Sequence, residues 1–141
     1  MEEDRRARIA RQFIEAIPHA RALGMTIAEV GEGRAVIEMP YDERLVGDPA
    51  TGVIHGGAVS ALMDTTGGAA VMAHPQGAGG TATIGLRIDY MRAARPGQRI
   101  RAEAEVYHAT RSVAFVRATA RDEEDGMVAA ATGTFTVEPS R

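Results

Sequence analysis

The sequence predicts an α+β fold in which an antiparallel β-sheet wraps one long, largely buried helix. The first reason is the order of the elements, because hydrophobic periodicity indicates a helix, two strands, a second helix and then four strands. The second is the length of the last four strand candidates, which suits a single antiparallel sheet. The third is the alternation in "RIRAEAEVYH" and "SVAFVRATARD", where charged residues interleave with Ala, Val, Ile and Phe, as expected of a sheet with one solvated face.

The first 22 residues predict an amphipathic helix. Ile9, Phe13 and Ile17 recur every four positions with arginines between them, and Pro18 is expected to end the pattern. The apolar stripe of this helix must cover another part of the chain.

Residues 25–54 predict a β-hairpin followed by a long loop. The hairpin covers residues 25–39 and turns at Gly31-Glu32-Gly33, where two glycines can take the positive φ of a tight turn. Residues 40–54 hold two prolines, two glycines and three acids with little periodicity. Loops of that length often carry function.

A buried helix and four strands are predicted in the remainder of the chain. Apolar and small residues continue from about His55 to Ala73 until Pro75, which indicates a helix of about five turns. The four strand candidates span roughly residues 81–91, 99–109, 112–121 and 127–137. Residues 1–141 are therefore interpreted as one domain, with the N-terminal helix over residues 1–22.

Composition excludes several classes of function. The formal net charge is −3, with acids and bases interspersed, so the chain lacks the basic stripe that nucleic-acid binding requires. It has no cysteine, and all 16 basic residues are arginine, which removes thiolate chemistry, Schiff-base lysines and lysine-dependent phosphate loops. A charged N-terminal segment and the lack of a long apolar run predict a cytoplasmic protein with no membrane segment.

The stretch "GVIHGGAVSALMD", residues 52–64, carries the most chemical information. Gly56 and Gly57 are poor interior helix residues, so they are expected at the helix start, where the first N–H groups have no internal partner. With the positive end of the helix dipole, these amides form an anion site that a carbonyl oxyanion could occupy. The structural alternative is a tight entry turn.

Asp64 is the second candidate functional group of this stretch. If it is buried, its carboxylate must be hydrogen-bonded and its pKa is expected to rise, which suits a general base or a nucleophile. Alternatively, it merely bonds Thr65 or Thr66. Asp64 lies seven residues after Gly57, about 10 Å along the helix, so one chain cannot bring both to one carbonyl. An antiparallel second helix could, which predicts a twofold dimer with two interface sites.

Other candidate groups fit known chemistry less well. His55 could orient a loop, bond a substrate carbonyl or be structural. Ser60 lacks the G-x-S-x-G setting of a nucleophile elbow, and His55, Asp64 and His74 lack zinc-ligand spacing, so no metal site is expected. A basic cluster could contact a phosphorylated carrier or simply line a solvated strand face; it consists of Arg92, Arg95, Arg99 and Arg101.

Three stretches resemble the hotdog-fold acyl-CoA thioesterases of the phenylacetate-pathway (PaaI) type: "DPATGVIHGGAVSALMDTTGG", "TATIGLRIDYMRAARPG" and "ATRSVAF". The resemblance covers roughly residues 25–138 and implies a hotdog core there, with a long central helix wrapped by an antiparallel sheet. It also implies an acyl-CoA substrate, no cofactor or metal, and homodimers that pair their sheets edge to edge and often form dimers of dimers.

The resemblance also assigns catalytic roles. It implies that the glycine amide that polarises the thioester carbonyl is at Gly57, beside Gly56. The catalytic carboxylate falls at Asp64, nine residues after His55. Substrate contacts are implied for Gly56 as well.

Two further regions of the site follow from the same resemblance. The hydroxyl that helps to place the attacking water falls at Thr83, with Thr81 as the nearby alternative. The turn at Thr110, Arg111 and Ser112 resembles the stretch that meets the nucleotide end of coenzyme A. In contrast, many family members carry an asparagine six residues before the histidine as a carbonyl contact.

This chain has Pro49 at the position of that asparagine, preceded by Asp48. Asp48 or backbone groups of Gly52 are candidates to replace it, or the site relies on the Gly57 amide and His55.

The function implied is hydrolysis of a small-to-medium acyl- or aryl-CoA thioester, with Asp64 activating water or attacking directly across a dimer interface. Two alternatives stay open: a noncatalytic module that binds acyl-CoA or an acyl carrier, and a hotdog enoyl-CoA hydratase or dehydratase. Acyl specificity is expected to depend on Met63, Met72, the 40–54 loop and the first helix.

Overall fold

A computed structural model describes residues 2–77 and 79–138, with side chains from residue 5 onward. The remaining residues of the predicted 1–141 domain lie outside this description. The helices are α1 (Glu2–Glu15), α2 (Pro18–Ala22) and α3 (Gly56–Met72), and the strands are β1 (Thr26–Gly31), β2 (Arg34–Met39), β3 (Val46–Asp48), β4 (Val53–Ile54), β5 (Thr83–Tyr90), β6 (Ile100–Ala109), β7 (Val113–Arg121) and β8 (Met127–Thr136). Within the described ranges, no helix is long and apolar enough to cross a membrane.

Six strands form one antiparallel sheet in the order β1-β2-β6-β7-β8-β5. Alternate residues of each strand line its inner face, which packs against α3. Leu62 and Met63 of α3 are fully buried there in one core with Ile37 of β2. The predicted α+β architecture, with an antiparallel sheet around a long central helix and an additional N-terminal helix, is confirmed.

Small residues let α3 lie close to the sheet. A Cβ atom on Gly67 would lie 2.7 Å from Cζ of the Phe135 ring on β8, which is closer than packed atoms approach. The facing sheet positions include the buried alanines Ala102, Ala104 and Ala118. This close approach explains why α3 carries an interior glycine in spite of a cost of about 1 kcal/mol relative to alanine.

The N-terminal segment forms two helices instead of the single helix predicted over residues 1–22: α1 ends at Glu15, before Pro18, and α2 follows. Pro18 is the first residue of α2, a position whose N–H would have no partner within the helix, so proline costs no hydrogen bond there. Ile17 before it has the extended backbone that proline favours in the preceding residue. The proline therefore separates two helices. The longer one, α1, packs against α3 and β1.

The segment of residues 40–54 is more ordered than the predicted loop. It contains a 3₁₀ turn at Glu43–Leu45 and a small hairpin of β3 and β4. Asp42 and Asp48 accept hydrogen bonds from backbone N–H groups two residues on, so the acids of this segment cap its turns. The His55 N–H donates to a carbonyl of the 3₁₀ turn over 2.8 Å, which ties the segment to the start of α3.

Candidate active site

Asp64 of α3 and Thr83 of β5 are hydrogen-bonded to each other. The Thr83 hydroxyl donates to Asp64 Oδ1 over 2.6 Å, and among the described residues the other carboxylate oxygen accepts no hydrogen bond. Asp64 is half-buried rather than buried as expected, because it lies at a cleft and not in the core. The alternative partner Thr66 donates instead to the Leu62 carbonyl over 2.6 Å. One oxygen of Asp64 is therefore fixed and the other is open.

A β-bulge directs the Thr83 side chain toward α3. The register of β5 against β8 is regular from Tyr90 to Gly85 and shifts between Gly85 and Thr83. Thr83 consequently pairs with Phe135, whose side chain is buried on the inner face, while Ile84 is the extra residue and is 58% exposed. In a regular strand Thr83 would face outward, because a one-residue slip inverts the side-chain faces.

Thr81 holds the backbone that leads into Thr83. Its hydroxyl donates to the Thr136 carbonyl, the Ala82 N–H donates to the Thr136 hydroxyl, and the Thr136 N–H donates to the Ala82 carbonyl, each over 2.8 Å. The Thr81 side chain lines the same cleft as Asp64. Since its hydroxyl already donates to the Thr136 carbonyl, Thr83 is the hydroxyl that bonds the acid.

The first turn of α3 begins at Gly56, with His55 as its N-cap. His55 Nδ1 accepts a hydrogen bond from the Gly57 N–H over 2.8 Å, so Nε2 carries the proton of the neutral ring. The Gly57 amide, which the resemblance assigns to the substrate carbonyl, is therefore occupied by the imidazole. In contrast, the Gly56 N–H makes no hydrogen bond among the described residues. It is the open donor of the turn.

The glycine at position 57 is required by this cap. A Cβ atom there would lie 2.8 Å from His55 Nδ1, whereas a Cβ atom on Gly56 would meet the Tyr90 ring at an ordinary 3.7 Å. Gly56 and Gly57 are thus not equivalent. Gly57 admits the imidazole, and Gly56 presents an unpaired amide.

Sequence reasoning missed Tyr90, which anchors the first turn of α3. Its hydroxyl donates to the Gly56 carbonyl over 2.8 Å and contacts the Ser60 hydroxyl, which bonds the same carbonyl over 3.1 Å. An aromatic residue at the end of a strand was the available signal. The hydrogen bond from Tyr90 to Gly56 forms because β5 lies beside the start of α3. The local sequence pattern does not specify that arrangement.

Two clefts lie along one face of α3. The acid cleft, about 230 Å³ in volume, contains Asp64 and Thr83 and is bounded by Phe13 of α1. The histidine cleft, about 330 Å³, contains His55 and Gly57. The two ends of the motif therefore line different clefts of one chain, as their spacing of about 10 Å predicts.

The walls of these clefts differ in part from the expected ones. Met63 and Met72 are buried in the core and line neither cleft. The first helix does line the acid cleft, whose apolar walls are Phe13, Ile14, Ile17 and Phe135. The 40–54 segment lines the histidine cleft through Arg44, Leu45 and Val46. Helix α1 and this segment therefore each form part of a cleft wall.

Asp48 and Gly52 are used within their own turn. The Asp48 carboxylate accepts from the Ala50 N–H over 3.0 Å and from the Thr51 hydroxyl over 2.9 Å. The Gly52 N–H donates to the Asp48 carbonyl, and the Gly52 carbonyl accepts from the Tyr41 hydroxyl. The structure does not bring either residue into the histidine cleft. That Asp48 or Gly52 replaces the asparagine of the family stays a prediction.

The turn at residues 110–112 lies at the same end of the sheet as Thr83. Val113 pairs with Thr136 on β8, one residue from the partner of Thr83, so the turn is about 10 Å from Thr83 across two strand spacings. Thr110 closes the turn through hydrogen bonds with Val113. Arg111 is exposed and makes no hydrogen bond or ion pair among the described residues.

The basic cluster of four arginines is engaged in ion pairs within the chain. Arg92 and Arg95 pair with Asp122, and Arg99 and Arg101 pair with Glu38. The hydrogen bond from Arg92 is the main cause that lowers the pKa of the Asp122 carboxyl, against the opposing effect of burial. The structure therefore favours the structural alternative for these arginines.

Comparison with known proteins agrees with this architecture. The family model of the Thioesterase superfamily matches residues 51–129, which include α3 and β5–β7. The medium/long-chain acyl-CoA thioesterase YigI of Escherichia coli K12 is 28% identical over 142 residues, covering 92% of this chain and 91% of YigI.

Two solved structures extend the comparison across the whole fold. A Pseudomonas aeruginosa protein is 34% identical with a TM-score of 0.83, covering 94% of this chain and 99% of its own. The E. coli PaaI protein from the phenylacetic acid degradation operon has a TM-score of 0.86 at 23% identity, covering 96% of each chain, and so shares the fold. The chain belongs to the Thioesterase superfamily and has the PaaI-like hotdog fold.

Proposed function

We propose that this protein hydrolyses acyl-CoA thioesters to a free acid and coenzyme A. The observation that carries the proposal is the Asp64–Thr83 pair, which presents one open carboxylate oxygen at a cleft walled by apolar side chains. Membership of the Thioesterase superfamily and the similarity to YigI, a medium/long-chain acyl-CoA thioesterase, support it. The proposed reaction needs no cofactor or metal ion.

The first turn of α3 is proposed to receive the thioester carbonyl oxygen. The Gly56 N–H is the open donor, and the Gly57 N–H becomes a second one when the carbonyl displaces the His55 imidazole. Donors aimed at the developing oxyanion lower the barrier, and the helix dipole adds to their effect. His55 Nε2–H then serves as a further donor to the substrate.

Asp64 is proposed to act on the carbonyl carbon. As a general base it takes a proton from water as the C–O bond forms; as a nucleophile it attacks directly, and water cleaves the resulting anhydride. In either route the C–S bond breaks, its electron pair stays on sulfur, and the thiolate takes up a proton. The Thr83 hydroxyl holds Asp64 Oδ1 so that the open oxygen faces the cleft.

A second copy of the chain is proposed to complete each site. Strand β5 is an edge of the sheet and exposes Ile84 and Tyr90 by 58% and 47%, and Met91 directly after it is 54% exposed. Exposed edges and apolar patches of this kind favour pairing with another chain. Pairing of β5 with β5 about a twofold axis sets the α3 helices antiparallel, so that Asp64 of one copy faces the Gly56 turn of the other. Two such dimers can associate further.

The two ends of the substrate are proposed to lie in different regions. The acyl group enters the acid cleft beneath α1, whose volume of about 230 Å³ suits a small-to-medium chain. The coenzyme A end lies toward the turn at Thr110, Arg111 and Ser112, where Arg111, which has no ion-pair partner among the described residues, offers a cation to a phosphate.

The first experiment is a thiol-release assay of the purified protein with acyl-CoAs of increasing chain length. Wild type is expected to release coenzyme A, and Asp64→Asn to lower kcat by about 100-fold or more, because the isosteric amide cannot act as base or nucleophile. Asp125→Asn, at an exposed acid in the turn between β7 and β8, is the matched control and should leave the rate unchanged. Binding without turnover by the wild type, or full turnover by Asp64→Asn, would contradict the proposal.

A further inference from the structure

One of the four histidines has no structural partner in the described part of the chain. His55 caps α3, His74 accepts a hydrogen bond from a backbone N–H over 3.2 Å, and His108 packs on an aromatic ring. His19, on the short helix α2, is exposed, and its imidazole makes no hydrogen bond, ion pair or ring contact with the described residues. It is therefore available to another molecule.

His19 lies where the two clefts meet, since it lines both the acid cleft and the histidine cleft. On α3 the histidine cleft contains Gly57 and Ala61, and the acid cleft contains Asp64 and Gly68. These positions are three or four residues apart, so they form one continuous face of the helix. His19 is thus placed over this face, between the amide end and the acid end of the site.

We propose that His19 is a substrate-contacting residue, whose imidazole hydrogen-bonds the bound acyl-CoA at the junction of the thioester and the pantetheine arm. The inference rests on the proposed function. A substrate group bound in either cleft lies against a wall that includes His19, and the junction carries the polar carbonyl and amide groups that an imidazole can pair. His19 lines both the acid cleft and the histidine cleft. The proposed contact therefore does not depend on which copy supplies Asp64.

Position 19 can be tested with three substitutions that separate polarity from shape. His19→Ala removes the ring, His19→Phe keeps a ring without polar atoms, and His19→Gln keeps a donor and an acceptor of similar reach. The matched control is Arg21→Gln, because Arg21 is exposed on the same short helix but lines neither site cleft.

Two readouts are needed: kcat/KM for acyl-CoA hydrolysis, and the affinity for a 2-oxoalkyl thioether of coenzyme A, a non-hydrolysable analogue that keeps a carbonyl and the pantetheine amides. His19→Ala and His19→Phe are expected to lose about five- to tenfold in both, as for one hydrogen bond, while His19→Gln stays within about threefold and Arg21→Gln is unchanged. The thermal midpoints should not differ.

Wild-type values for His19→Phe in both readouts would overturn the inference. So would a loss in His19→Gln equal to that in His19→Ala, or an equal loss in Arg21→Gln, since these results indicate a structural role for α2. Failure of the proposed function looks different, because wild type then releases no thiol; the affinity series still decides whether His19 contacts the ligand.

Discussion

Two adjacent glycines at the start of α3 have separate roles at the scale of single residues. The Gly57 N–H is capped by His55 Nδ1, and its missing side chain leaves room for that imidazole. The Gly56 N–H is unpaired among the described residues, at the position where the helix dipole is most positive. The motif "HGG" could be assigned to a helix start from sequence, but which amide is open depends on the rotamer of His55.

Removal of the Gly56 N–H tests this division of roles. Gly56→Pro places proline at the first helical position, where it is tolerated, and His55 already has the extended backbone (φ −59°, ψ 134°) that precedes proline. We expect kcat to fall by about 100-fold, as when one oxyanion donor is lost, with little change in thermal midpoint.

Gly56→Ala is the matched control, because it keeps the N–H and its Cβ atom would contact the Tyr90 ring at 3.7 Å. It should retain most of the wild-type rate in the same thiol-release assay. Equal losses in the alanine and proline variants would show that the Gly56 amide is not the donor.

The bulge in β5 is the feature at the scale of elements that builds the acid site. It turns the Thr83 side chain inward to Asp64 and leaves Ile84 as the extra, exposed residue. Deletion of Ile84 should make the pairing regular and leave Thr83 opposite Phe135, on the inner face. We expect the deletion variant to keep kcat within about threefold of wild type, whereas Thr83→Val should lose about tenfold because it removes one hydrogen bond to the carboxylate.

A double-mutant cycle separates this effect from general damage. In the variant that lacks Ile84, the further change Thr83→Val should still lower kcat about tenfold, since the hydroxyl still faces Asp64. Circular dichroism and molar mass serve as controls for fold and assembly. If Thr83→Val has no effect on kcat in the deletion variant, pairing with Phe135 does not position Thr83.

Helices and strands were easier to predict from the sequence than the strand register and the helix boundaries. Alternation marked β6 and β7 because one face of each contacts the core and the other contacts water. The bulge at Ile84 could not be predicted, because register is a relation between β5 and β8 rather than a property of either. The break at Pro18 was predicted, but the second helix that begins there was not, because the local sequence fits a turn as well as a new helix.

At the scale of the whole molecule, the sheet has two different edges. Helix α1 packs against β1 at one edge, whereas at the other edge Ile84 and Tyr90 of β5, and Met91 directly after it, are exposed. The helical spacing of Gly57 and Asp64 already predicted that one chain could not bring both to one carbonyl, and the structure places them in different clefts. The partner of each Asp64 is therefore expected to come from a second copy.

The most direct test of a shared site is complementation between two inactive variants. Gly56→Pro and Asp64→Asn are co-expressed with different tags, and the doubly tagged dimer is purified and assayed for release of coenzyme A from a medium-chain acyl-CoA. If each site combines the helix start of one copy with Asp64 of the other, the mixed dimer contains one intact site of two and should show about half the wild-type activity, while each variant alone stays near background. A mixed dimer as inactive as its parents would contradict a site shared between two copies.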